Sequence, residues 1–352
     1  MRDASAFGLL STRDDCPNST GNSQQTSFFF LLPMGLTLLE AAKLAPDAPT
    51  GAVIAELAEG ELMRRIPFQN VPGSGVFYSR EAELPAVGFR GINEALPEGY
   101  GVINPQSEPL KIFGGDLDVD IAEVDMYGPS ARATQTQMKV KALRMTYEDK
   151  FLNGSSAENP REMDGLKSRI IPGTSQYLSN FNEAGTAGSA LSLNVLDHLL
   201  DEVEANGSQR YLIMNKAMRR RLSQAARTQE LSGCIIQDRD EIGQQVTRYQ
   251  DAIIITTDTN ASNRPIQAFD EPNADGSAGN TTSIYAVAFG DTLTTGIQGQ
   301  HGGAYGISVR DLGEVNDKPC YRTRLDWYIG MAIYHGRSVA RLAGVNDDVV
   351  IA

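Results

Sequence analysis

The chain has 352 residues, enough for two modest domains or one large one with excursions. Its 41% hydrophobic and 21% charged residues, with 34 glycines, place it among turn-rich globular proteins and not among disordered ones. With 44 acidic against 31 basic residues, a net charge of −13 and no basic stripe, it repels phosphate backbones, which argues against a protein that grips nucleic acid. Three scattered cysteines (Cys16, Cys234, Cys320) and three scattered histidines (His198, His301, His335) argue against a disulfide framework or a zinc site and suit a reducing compartment.

Residues 1 to about 33 carry Asn, Ser, Thr and Gln clusters with almost no periodicity, so they are expected to form an arm that orders only against partners. The arm ends in Phe28-Phe29-Phe30-Leu31-Leu32, an apolar patch that burial in an assembly would remove. The apolar run from Phe28 to Leu39 is broken by Pro33 and Gly35 and is shorter than the ~20 residues of a bilayer span. Asp14-Asp15 and a polar segment precede it instead of a basic leader, so neither export nor a membrane anchor is expected. Two helical patterns follow, Thr37 to Lys43 and Gly51 to Arg65, the second with Val53, Ile54, Leu57, Ala58 and Leu62 at intervals of three and four. Pro46 and Pro49 separate them and Pro67 stops the second.

From Ile66 to Asp120 the chain reads as a long two-stranded hairpin, with strand-like runs at Val76-Phe77-Tyr78 and Leu110-Lys111-Ile112. Arms of ~15 residues would reach roughly 50 Å, against a radius of gyration of ~13 Å for a 100-residue domain. A lone hairpin is marginal in water, so a neighbouring copy of the chain is its expected support. Between the runs lies a lightly hydrophobic tip rich in Pro, Gly and Glu. Its mixed charges, Arg80 and Arg90 against Glu81, Glu83, Glu94, Glu98 and Glu108, are candidate rim contacts between subunits, worth ~0.2 to 1 kcal/mol each if exposed.

Asp116-Leu117-Asp118-Val119-Asp120-Ile121 alternates strictly, which puts three carboxylates on one face of a strand. As a calcium loop it fails, because Ile121 stands where Gly is needed and Tyr127 where Glu is needed. Ser130 to Phe151 is the strongest helix pattern: Ser130 can cap it, Val140, Leu143, Tyr147 and Phe151 form one stripe, and Met138, Ala142 and Met145 widen the buried face. Residues 154 to 188 are loop-rich, and Gly185-x-x-Gly188 lacks the context of a phosphate loop.

From Leu191 helix and strand alternate as a separate α+β domain. Ser192 and Asn215 are expected to cap its helices, and strands are expected at Cys234 to Gln237, Gln245 to Tyr249, Ala252 to Thr256, Ser283 to Phe289 and Tyr305 to Val309. Arg219-Arg220-Arg221 fits a solvated helix face. Glu271 to Thr282 has Asn273 and Asp275-Gly276 at calcium-loop spacing but Glu271 and Thr282 at the wrong ends, so it reads as a flexible loop. Finally, Tyr321 to His335 alternates as a long strand, with the single Trp327 on its core side, and is expected to return to the sheet beneath the long helix.

G-x-S-x-G, H-E-x-x-H, a Walker loop and G-x-G-x-x-G are all absent. Asp197, Asp201 and Glu202 lie on one helix face, where the solvated reading outweighs a catalytic pair. No catalytic, cofactor-binding or metal-ligating residue is assigned. A soluble carboxylate-based hydrolase stays as an alternative from another class.

The order of these parts resembles the major capsid proteins of tailed double-stranded DNA bacteriophages, with the Hong Kong 97 type fold. The resemblance covers most of residues 36 to 346. It rests on Ile66-Pro67-Phe68-Gln69-Asn70-Val71-Pro72, the hairpin, Gly114-Gly115-Asp116-Leu117-Asp118-Val119-Asp120 and the helix from Ala133 to Asn153. It continues through Pro160-x-x-x-Asp164-Gly165-Leu166, Met214-Asn215-Lys216-x-Met218-Arg219-Arg220 and Arg324-Leu325-Asp326-Trp327. It implies an N-terminal arm (1–35), a helical segment (36–70), an E-loop (71–112), a P-domain (113–188) with a spine helix at 130–151, an A-domain (189–312) and a return strand (313–352).

It further implies hexamers and pentamers closing into an icosahedral virion shell around DNA, assembled in the host cytoplasm without sequence-specific DNA contact. Separate scaffolding, portal and decoration proteins are the partners it implies. A cargo compartment of the encapsulin type is the alternative on the same fold. Two departures stand out. Some relatives carry a scaffolding extension of about a hundred residues in front; none is expected here, so any scaffold is expected to be a separate protein. Others cross-link an E-loop Lys to Asn, yet no Lys occurs from Val71 to Leu110, so no such covalent network is expected.

Overall fold

A computed structural model describes residues 35–43, 45, 48–227, 235–239, 245–302 and 304–351. The expected arm, with Phe28, Phe29 and Phe30, lies outside the described residues. The chain opens with β1 (Leu36–Thr37), α1 (Leu38–Lys43), α2 (Ala48–Leu57), α3 (Glu61–Arg65) and β2 (Pro67–Val71). The hairpin is β3 (Gly75–Glu83) with β4 (Val102–Pro109), followed by β5 (Lys111–Asp120), α4 (Ile121–Tyr127) and the long helix α5 (Ser130–Asn153). Next come α6 (Leu166–Arg169), β6 (Tyr177–Ser179), α7 (Leu193–Asp201), β7 (Arg210–Asn215) and α8 (Lys216–Ala225). Strands β8 (Ile235–Arg239), β9 (Gln245–Tyr249), β10 (Ala252–Thr257) and β11 (Thr282–Ala288) follow. The last are β12 (Thr294–His301), β13 (Ala304–Tyr305), β14 (Ser308–Glu314), β15 (Cys320–Ile333) and β16 (Val339–Val345).

Two mixed sheets organise these parts. The first runs β1-β2-β12-β15-β14, with β5 also on β15 and β13 on β12. Its axis is β15, which pairs with β5 from Cys320↔Asp120 to Ile329↔Lys111. Alternation along β15 buries Leu325, Trp327, Ile329 and Met331 in one core with Val140, Leu143, Tyr147 and Phe151 of α5. Trp327 lies 5.3 Å from the Phe68 ring and 5.9 Å from Tyr147, aromatic contacts worth about 0.5–1.5 kcal/mol each beyond area burial.

The second sheet runs β6-β16-β11-β7-β10-β9-β8. Leu196, Leu199 and Leu200 of α7 and Met218 and Leu222 of α8 pack in its core. Asn215 caps α8 by accepting from the Met218 N–H at 2.7 Å, as its position suggests.

The structure departs from the sequence reading in identifiable ways. The helix expected over 51–65 is two helices, because the chain goes extended at Gly60, where a Cβ would collide with the Glu148 carboxylate. Pro67 begins a strand. Ser130 does not cap α5: Pro129 holds that position without a side-chain bond, and Asp120 instead caps the unforeseen α4, accepting from the Ala122 N–H at 2.8 Å. Ser192 precedes α7 without a capping bond. Met138 is exposed on α5 and does not widen the buried face. The strand expected over 305–309 is interrupted at Gly306, whose φ of +97° suits glycine.

Sheet membership also cuts across the expected bounds. Strands β12 and β14, assigned by sequence to the 189–312 unit, belong to the first sheet, and β16, assigned to the return strand, pairs with β11 and β6 in the second. Periodicity fixes which face of a strand is buried, and it leaves open which sheet the strand joins.

Candidate assembly surface

The hairpin is shorter than its sequence suggests. Arms of nine and eight residues extend about 30 Å at ~3.3 Å per residue, against the ~50 Å expected. Leu110-Lys111-Ile112 is not its second arm: β5 starts at Lys111 and pairs with β15. The hairpin base is also held by its own chain. Val76, Tyr78 and Leu110 pack with Val71, Ile297, Ala332 and Tyr334 in a small cluster. Alternation puts Ala332 on the face of the first sheet opposite Met331 and α5.

Polar contacts fix the base further. Arg80 Nε donates to the Ile333 carbonyl at 2.9 Å, and its guanidinium lies over the Tyr78 ring. Glu108 accepts both terminal nitrogens of Arg169, one at 2.7 Å, with side chains only 14% and 16% exposed. Burial works against the Arg169 charge, but hydrogen bonding and attraction to Glu108 outweigh it and its pKa is raised. Arg80 and Glu108 therefore anchor the hairpin base to its own chain. Lys111 is likewise engaged, donating to the Pro160 carbonyl at 2.7 Å.

Beyond the base, residues 84–101 form no strand, and the side chains there point into solvent. Val87, Phe89 and Ile92 are 92%, 108% and 95% exposed, and Leu84 and Tyr100 join them, with Phe77 on β3. Of the charged candidates, Glu81, Glu83, Arg90, Glu94 and Glu98 are all exposed. Glu94 folds back to accept from the Gly91 N–H at 2.8 Å, and Arg90 donates to the Glu94 carbonyl at 3.4 Å, so these two shape the tip turn around Asn93.

The charges of the tip stand out in the sequence, whereas its apolar side chains stand out only by their exposure in the structure. Magnitudes reverse the ranking: burying one such side chain is worth about 1.5–3 kcal/mol, against ~0.2–1 for an exposed ion pair. The available signal was large apolar residues inside a Pro/Gly-rich segment without strand periodicity.

The other acidic candidates are structural. Asp116 and Asp118 on β5 take bidentate bonds from Arg324 and Arg322 on β15, which hold their carboxyls below the usual range. Asp197 accepts from Tyr249 Oη at 2.6 Å and Gln250 at 2.8 Å. Arg221 pairs with Asp347 at 2.8 Å. Glu271 is a buried anchor between Lys167 and Arg341, both at 3.1 Å, and not the first ligand of a calcium loop. Among the described residues no three His, Cys, Asp or Glu gather as metal ligands, and no helix is long and apolar enough to cross a membrane.

Comparison with known proteins places this geometry. The family model "SU10 major capsid protein" matches residues 121–264, which run from α4 through α5 into the strands of the second sheet. Over that stretch the chain is similar to a major capsid protein family, and its fold is of the Hong Kong 97 type. The same fold appears in the SrpI encapsulin of Synechococcus elongatus PCC 7942, with a TM-score of 0.58 and 14% identity over 89% of this chain and 96% of that one. The capsid of a native GTA particle gives 0.54 and 13%, over 81% and 90%. Mycobacterium phage Bobi gives 0.54 and 11%, over 83% and 91%. At such identities these structures establish the fold. No curated protein matches the sequence. The hairpin lies outside the matched residues, so its reading rests on the geometry above.

Proposed function

We propose that this chain is a capsid protein that assembles through hexamers and pentamers into a closed icosahedral shell around double-stranded DNA, with the β3–β4 hairpin as the strap between subunits. The observation that carries the strap is an apolar tip presented to solvent on a base anchored to its own chain. In this reading the hairpin is the E-loop, α5 and the first sheet form the P-domain, and the second sheet forms the A-domain. The role is structural and not enzymatic, and the location is the virion after assembly in the host cytoplasm. The net charge of −13 suits a wall that encloses DNA without gripping it. Separate scaffolding, portal and decoration proteins complete the particle.

The likeness to an encapsulin favours one second reading, a shell around protein cargo. Electron microscopy of the purified full chain, with analysis of particle contents, separates the two. Closed particles hundreds of ångströms across that fill with DNA support the proposal. Particles that retain an enzyme and exclude DNA support the cargo reading. A small monodisperse oligomer would overturn both and favour a soluble enzyme.

A further inference from the structure

Helix α5 carries one carboxyl that the strap and the sheets do not use. Glu148 is 8% exposed, yet its Oε1 has no hydrogen-bond partner. It is lodged against Gly60, where α2 gives way to α3; a Cβ on residue 60 would also come within 2.9 Å of Arg144 Cδ. No side chain larger than hydrogen fits that position without displacing the carboxylate.

Its charged neighbours are mostly of its own sign. Glu61 faces it from α3 and Asp258 from just beyond β10. Arg144, one turn earlier on α5, is the opposing cation, but it is shared: it lies 3.7 Å from the Glu59 carboxylate and donates to the Glu56 carbonyl at 3.4 Å. Asp258 is paired with Lys216 at 2.7 Å. Glu61 accepts from the Thr256 N–H and hydroxyl at 3.2 and 3.0 Å, which ties α3 to β10. Of the α3 arginines, Arg64 donates to the Ala58 carbonyl at 3.2 Å and Arg65 lies over the Tyr211 ring. Glu148 therefore sits where α3, α5 and the end of a second-sheet strand meet.

We propose that Glu148 is a proton-operated latch: neutral, it stays seated against Gly60 and holds α3, α5 and the end of β10 together; ionised, it withdraws toward water and the junction loosens. A buried carboxylate with no hydrogen-bond partner on Oε1 is costly, whereas the neutral acid tolerates the site. Burial first, then the like charges of Asp258 and Glu61, push its pKa from 4.5 up to about 7 against the pull of Arg144. Because the folded value lies above the ordinary one, the contribution is fully present below pH 4.5 and is lost as pH rises through about 7. The latch is a property of the single subunit and stands apart from the assembly proposal.

Amide hydrogen exchange of residues 57–66 in the full chain, corrected for intrinsic pH dependence, tests it. Between about pH 5.5 and pH 8.5 protection in the unmodified chain is expected to fall by about tenfold or more, with a midpoint near 7. In Glu148→Gln the protection becomes independent of pH. Asp258→Asn moves the midpoint to lower pH, and Arg144→Gln moves it higher. Equal protection at both pH values in the unmodified chain, or an unchanged pH dependence in Glu148→Gln, overturns the latch. Should the glutamine variant not fold, an unmoved midpoint in Asp258→Asn overturns it equally.

Discussion

At the scale of single residues, the same kind of ion pair has different consequences in different places. Asp118 with Arg322 lies on the open face of the first sheet, where water solvates either partner once the other is removed. Glu108 with Arg169 sits at the hairpin base with both side chains largely covered. Removing the Glu108 carboxylate strands a buried guanidinium, whose remaining bonds go to the Asp164 and Met331 carbonyls. Glu108→Ala should therefore destabilise the subunit by about 3–5 kcal/mol in denaturant titration, while Asp118→Ala should leave the midpoint nearly unmoved. Equal midpoints for the two variants would show that the Arg169 pair does not hold the hairpin base. A pH scan adds the contribution of Glu148. Thermal stability of the unmodified chain should decline as pH rises from about 4.5 through about 7 and level off above that, and Glu148→Gln should flatten that decline.

At the scale of elements, the hairpin divides into a base packed on its own chain and a tip whose apolar side chains stay exposed. Deleting 84–99 removes Val87, Phe89 and Ile92 but leaves Arg80, Glu108 and the cluster at Val76, Tyr78 and Leu110 in place. The deleted chain should keep the unfolding midpoint of the intact subunit and lose closed particles in electron micrographs; normal particles would remove the strap. Phe89→Ser with Ile92→Ser should weaken assembly more than Glu83→Gln with Glu98→Gln, because apolar burial outweighs exposed ion pairs. Sedimentation velocity of the two double variants gives the ranking.

The sequence made α5 and β15 legible because their periods persist for many turns and pairs, as in Val140, Leu143, Tyr147 and Phe151 or Leu325, Trp327 and Ile329. The break at Gly60 was not legible, since it depends on a carboxylate 88 positions away. Nor was the sheet membership of β12, β14 and β16, which depends on crossovers and not on alternation. The site was half legible: the hairpin could be read from its low-periodicity tip, but the roles of Arg80 and Glu108 required knowing that Ile333 and Arg169 lie beneath them.

At the scale of the whole molecule, salt separates the two forces that could join subunits. Each chain carries a formal charge of −13, so copies brought together repel one another. If Arg80 and Arg90 facing acidic residues held the shell, added salt would weaken the contacts, because the Debye length shrinks to about 10 Å at 0.1 M and exposed pairs are screened. Arg80 is already committed to Ile333 of its own chain, which leaves Arg90 as the single basic side chain of residues 81–101, against Glu81, Glu83, Glu94 and Glu98. If the apolar tip side chains hold the shell, salt screens the repulsion and leaves the attraction intact. Particle yield from purified subunits should therefore rise between about 0.02 M and about 0.3 M sodium chloride, as followed by light scattering. A yield that falls over this range would return the cohesion to the charged rim and demote Val87, Phe89 and Ile92 to incidental exposure.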